Sequence, residues 1–194
     1  MKHTACAYLQ AAALVAGVAI GGAVFGLSSA ALAGNAVDAE TRHVYLQNAA
    51  GERIEIATLA VTADGKYDVS MRDEEFADHF LSMRPFKCLE GSEKTWCHVP
   101  YPYEIKRDIS EELTDLEYDF LFLWKGKTEY GINMWNGIYF QIEQKNGVLH
   151  GTLHEMDMDL LSAPPDAGVL RPLREQDIHE SDPDSHWLPL MIIE

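Results

Sequence analysis

The chain has 194 residues, and 31 acidic side chains against 15 basic ones leave a formal net charge of −16. So acidic a surface excludes nucleic acid and anionic membranes as natural partners, because phosphates and anionic headgroups repel it. It suits a cationic partner or divalent cations, and solubility alone also accounts for it.

Lys2 gives a short positive start, and residues 5–33 carry no charge. The run closes on Ala31-Leu32-Ala33 before Gly34, the small-x-small form of a secretory cleavage site. It is also long enough to span a bilayer. Gly17, Gly21, Gly22 and Gly26, with Ser28-Ser29-Ala30, favour cleavage over anchoring. Residues 1–33 are therefore expected to be a signal peptide. Residues 34–194 are expected to form one exported domain, periplasmic or extracellular, with no membrane contact after cleavage. Cys6 precedes the apolar run and is not a lipoprotein acceptor. Cys88 and Cys97 are then the cysteines of the exported domain, and in an oxidising compartment they should bond. Their spacing is not the Cys-x-x-Cys of a redox pair, so the bond reads as structural.

After a flexible lead over 34–42, residues 43–47 (HVYLQ) read as a strand. Residues 53–61 alternate and then become apolar on both sides, and 66–71 place Tyr67, Val69 and Met71 on one face. Turns at 48–51 and 62–65 make these a first meander. The period changes over 73–83, where Phe76 and Phe80 lie four apart. Asp73 can cap a helix start, Glu74 and Glu75 suit a first turn, and Pro85 ends the segment. This predicts a short amphipathic helix, with His79 beside Phe80 as a partly buried structural histidine.

Residues 86–89 and 95–99 predict two strands bridged by the Cys88–Cys97 bond. Pro100-Tyr101-Pro102-Tyr103 is an edge or a rigid connector, since proline cannot donate to a ladder. Residues 110–116 (SEELTDL) offer one or two helical turns. Residues 118–124 (YDFLFLW) predict a strand covered on both faces. Residues 128–159 hold two Asn-Gly pairs, Asn136-Gly137 and Asn146-Gly147. Asn-Gly suits the type I′ turn, because both central residues need positive φ, so this stretch predicts a three-stranded meander. A long loop rich in prolines and acids follows over 160–186. Residues 187–193 (WLPLMII) form an apolar strand tied into the core.

The expected class is mostly β: a single-domain antiparallel barrel or strongly bent sheet with one short helix, with α+β as the alternative. In outline it resembles small exported barrels of the lipocalin kind, although the Gly-x-Trp element near a lipocalin's first strand is missing.

Two groups of residues could carry function. Tyr130, Asn133, Trp135, Asn136 and Tyr139 surround the first Asn-Gly pair. With Trp96, Tyr101 and Tyr103 they suit an aromatic-lined site for a small apolar or sugar-like ligand, or else simply a core. His150, His154, Glu155 and Asp157, followed by Asp159, offer ligands for zinc or copper. On a strand, His150 and His154 share one face and the acids the other. The two histidines then stand roughly 13 Å apart at about 3.3 Å per residue, too far to share one ion. A third ligand would have to come from His179, Asp182, Asp184 or His186. Asp182-Pro183-Asp184 lacks the glycine turn and terminal Glu of a calcium loop. No Gly-x-Ser-x-Gly elbow or phosphate loop supports an enzyme. The leading expectation is a non-enzymatic exported protein that binds a small ligand, with no cofactor. The alternatives are an acidic interaction or inhibitor protein for a basic partner, and a divalent-metal binder.

Overall fold

A computed structural model describes residues 39–194, so the expected signal peptide over 1–33 lies outside the described residues. Strands β1 (Glu40–Gln47), β2 (Arg53–Val61) and β3 (Tyr67–Met71) form the first meander, as their alternation predicts. Strands β4 (Ala77–Leu81), β5 (Arg84–Glu90) and β6 (Lys94–His98) follow. Helix α1 (Thr114–Asp119) precedes β7 (Phe122–Gly126), β8 (Gly137–Lys145) and β9 (Val148–Met156). Strands β10 (Ile178–Glu180) and β11 (Leu190–Ile193) come last.

Every pairing is antiparallel, in the order β3-β2-β1-β11-β9-β8-β7-β6-β5-β4, with β10 also on β9. The sheet curls into a half-barrel, so among the described residues the mostly β class with one short helix is observed.

Strand β11 joins the first meander to the rest. Ile193 pairs with Val44 on one side and with Leu149 on the other. A strand flanked on both sides has no free edge, which is why this segment is apolar throughout; Met191, Ile192 and Ile193 are all buried. Alternation then divides the interior. Trp96, Phe122, Ile138, Phe140 and Met191 belong to one core, while Leu121, Leu123, Tyr139 and Met156 belong to a second on the other face of β7–β9.

Three predicted elements are corrected. Residues 73–83 are not a helix: a 3-10 turn covers Asp73–Glu75, and β4 pairs with β5. Phe76 faces the core, but Phe80 is 74% exposed, so their helical spacing is coincidental. Strand β5 is fixed to β6 by the Cys88–Cys97 disulfide, which joins directly opposed residues 3.9 Å apart at Cα. That fixed edge offers β4 a ladder, and ladder pairing outweighs a weak local preference for helix.

Residues 118–124 are not one strand. Tyr118 and Asp119 end α1, and β7 starts at Phe122. All residues from Asp115 to Leu123 are buried, and continuous burial hides the period that separates helix from strand.

Finally, Asn136-Gly137 is not a hairpin turn, and the stretch 128–159 holds two strands rather than three. Residues 127–136 form a loop, and Asn136 exchanges hydrogen bonds with Trp124. Gly137 serves close approach instead: a Cβ there would lie 2.6 Å from the Met156 carbonyl oxygen. The second pair behaves as expected, with Asn146 at φ 54° and Gly147 at φ 86° turning β8 into β9.

Candidate functional site

Strand β7 pairs with β8 only through Phe122–Ile138 and Leu123–Gly137. Upstream of β7 the chain is helical, so α1 lies beside β8 where a strand would otherwise run. The Ile142 N–H at this edge would lack a partner, and an unpaired buried amide is costly. It donates instead to Glu117 Oε1 at 2.6 Å, and the Tyr139 hydroxyl donates to Glu117 Oε2. Burial pushes the Glu117 carboxyl above the usual carboxylate range. The bonds from Tyr139 and Ile142 and the charge of His154 act the other way.

Register aligns the remaining groups. Tyr139 on β8 is opposite His154 on β9, and His154 is opposite Glu180 on β10. Residues directly opposed in antiparallel strands project to the same face, so Tyr139, His154 and Glu180 form a row. Above that row lies a cleft of about 630 Å³, walled by Thr114 and Glu117 from α1 and by Arg174 and Glu175 from the segment that joins β9 to β10. His154 Nδ1 is 3.0 Å from the Thr152 carbonyl oxygen, which can only accept. In the neutral ring Nδ1 therefore carries the proton and Nε2 keeps a lone pair.

The loop wall is fastened to α1. Arg171 Nε reaches Asp115 Oδ1 at 2.5 Å, and the Leu173 N–H donates to the Tyr118 hydroxyl at 2.9 Å. The third acid of α1, Asp119, accepts from the Tyr67 hydroxyl at 2.9 Å and from Arg107 Nη2 at 2.9 Å. Asp115, Glu117 and Asp119 are thus all buried, each with its own partners. Sequence reasoning missed all three. The available signal was three acids at alternate positions running into the most apolar stretch of the chain.

The predicted ligand residues do not converge. Tyr130 and Trp135 are exposed on the 127–136 loop. Asn133 accepts from the Trp135 N–H, and Asn136 binds Trp124. Tyr139 alone of that group lines the cleft. Trp96 is packed in the core against Phe122 and Phe140, while Tyr101 and Tyr103 line a separate groove of about 280 Å³ with Met134 and Met158. The predicted metal ligands disperse as well. His150 pairs with Ile192 and Glu143 on the sheet, and Asp157 accepts from the Asp159 N–H. Glu155 binds His186 Nε2 at 2.8 Å, and His154 stands in the cleft. Among the described residues no three His, Cys, Asp or Glu side chains gather as a metal-holding group. The cleft therefore brings together one residue from each predicted group, Tyr139 and His154, with Glu117 and Glu180 that neither group contained.

No family model, curated protein or solved structure matches the chain. The functional reading rests on the cleft itself.

Proposed function

We propose that this is an exported protein that binds a small polar ligand rich in hydrogen-bond donors, an amine or amino sugar, in the cleft over Tyr139, His154 and Glu180. The observation that carries the reading is the register row of Tyr139, His154 and Glu180, backed by the buried Glu117. Its lining carries the carboxylates of Glu117, Glu175 and Glu180 against one guanidinium, Arg174, which is already paired with Asp177. A ligand that supplies N–H or ammonium donors complements them. A merely solvated groove would show no such preference. The Cys88–Cys97 bond is compatible with export, and among the described residues no helix is long and apolar enough to cross a membrane.

Calorimetric titration with glucosamine and putrescine, set against glucose and 1,4-butanediol, tests the proposal. The two amines should bind and their uncharged counterparts should not. Binding of neither amine below about 1 mM would overturn it.

A further inference from the structure

The ladder between β5 and β6 stops at the Cys88–Cys97 pair, and proline accounts for the break. Arg84 pairs with Leu81 to close the β4–β5 turn. Ladder bonds alternate from that closing pair, so the backbone of Pro85 turns away from β4, toward β6, and has no N–H to offer there. Past the end of β6 the facing segment carries Pro100 and Pro102, which cannot donate either. The groove of about 280 Å³ opens where the two segments part. It shares no lining residue with the cleft over Tyr139.

Register sets which side chains enter it. Cys88 is opposed to Cys97 and Cys97 to Leu123, so these three project to one face of the sheet. By alternation Arg84, Val99 and Leu121 project to the same face. The Val99 N–H donates to the Leu121 carbonyl at 2.9 Å and carries the β6–β7 pairing past the ladder. All three residues line the groove. Met134 and Met158, joined by a backbone hydrogen bond of 2.9 Å, line it too, with Leu161, Tyr101 and Tyr103. The hydroxyls of the two tyrosines donate to the Leu170 and Ser162 carbonyls. The one charged residue of the lining is Arg84.

The state of Arg84 indicates what the groove takes. Arg42, Arg53, Arg72, Arg107, Arg171 and Arg174 each have a carboxylate as ion-pair partner. Among the described residues Arg84 is the arginine without one. In a chain with 31 acidic side chains against 15 basic ones, this guanidinium borders an apolar groove instead of an acid. A guanidinium forks onto a carboxylate through two parallel hydrogen bonds. Apolar cavities of about 150 Å³ already admit benzene, so this groove has room for a ring or a short alkyl chain. Methionine side chains adapt to either shape. We infer that the groove binds a small amphipathic carboxylate, with its carboxyl group on Arg84 and its apolar body against Tyr101, Tyr103, Met134 and Met158. This site stands independently of the cleft over Tyr139.

Methionine methyl signals in a carbon–proton NMR spectrum report on it directly. Octanoate should shift the Met134 and Met158 signals and leave those of Met71 and Met191, which pack in the other core, in place. Octylamine has the same chain with the opposite charge, and should bind at least about tenfold more weakly. The net charge of −16 by itself favours the amine, so a preference for the acid reports Arg84 and not the overall field. Arg84→Gln should weaken octanoate by at least about tenfold without weakening octylamine. Arg84 is exposed, and unchanged Met71 and Met191 signals show that the variant is folded. Three results would each overturn the inference: Met134 and Met158 signals that stay in place at about 1 mM octanoate, equal affinity for acid and amine, or an octanoate response that Arg84→Gln leaves intact.

Discussion

Tyr139 and His154 face each other across the β8–β9 ladder, and the Tyr139 hydroxyl donates to the carboxyl of Glu117. One side chain thus ties the floor of the cleft to the helix that walls it. Because Glu117 also accepts from the Ile142 N–H, the same carboxyl seals the edge of β8 that β7 leaves open. Wall, floor and sheet edge should therefore respond together when Glu117 is changed.

Glu117→Ala leaves the Ile142 N–H and the Tyr139 hydroxyl without a partner, and should cost about 2–4 kcal/mol in chemical denaturation. Glu117→Gln keeps one acceptor oxygen for the Ile142 N–H, its amide N–H can donate to a Tyr139 hydroxyl turned round to accept, and it behaves differently with pH. The folded-state carboxyl titrates above its ordinary value of 4.5, chiefly through burial. Its protonated form therefore favours folding. That contribution is complete below the ordinary value and is lost as pH rises through the raised one. The Gln variant should lack this loss and be at least as stable as the parent in mildly alkaline buffer. Equal destabilisation by Gln and Ala would show that the ionised carboxylate is needed.

Arg171→Ala should cost about 3–5 kcal/mol, because Asp115 is fully buried and Arg171 is its ion-pair partner. Pairing this change with Asp115→Asn should restore much of the loss by removing the stranded charge. Urea unfolding of the two variants checks the prediction. A double variant as unstable as the single one would place the cost in lost packing instead.

Replacing Cys88 and Cys97 together by Ala should lower stability by about 2.5–3 kcal/mol, the chain-entropy effect of so short a loop. Amide exchange should rise first in β4, which among the described residues pairs with β5 alone. Unchanged protection in β4 would contradict the template role given to the β5–β6 pair.

Acid should weaken the fold through two histidines. Burial depresses the pKa of both His98 and His186 below 6.5. Each is neutral in the folded state and protonates more readily when unfolded. Their stabilising contribution is thus present above pH 6.5 and is lost as pH falls through the depressed values. The urea midpoint should begin to drop on acidification from pH 6.5, well above the carboxylate range. A midpoint flat down to that range would contradict the burial of both rings.

Much of the architecture is legible in the residues. The alternation of the first meander, the Asn146-Gly147 turn, the opposed cysteines and the apolar 187–193 each act locally, so each appears in the sequence. The errors arise where distant pairing overrides a local pattern. Ser82 and Met83 take positive φ without glycine, so nothing in their chemistry announces the β4–β5 turn. Phe76 and Phe80 imitate a helix whose place the β5 edge gives to a strand. The site was half visible. Tyr139 and His154 stand out as residue types, but their alignment with Glu180 depends on β10 joining β9 after a long loop. Glu117 was hidden because an acid inside an apolar run reads as a break in pattern until its partners, Tyr139 and Ile142, are brought to it by the fold.

The most direct measurement is a backbone amide NMR map of the protein titrated with glucosamine. Shifts should concentrate at Gln141, His154, Arg174, Glu175 and Glu180, and should vanish in the His154→Ala/Glu180→Gln double variant. Shifts confined to the Tyr101–Tyr103 groove, or a map that the double variant leaves unaltered, would contradict the assignment of the cleft as the binding site.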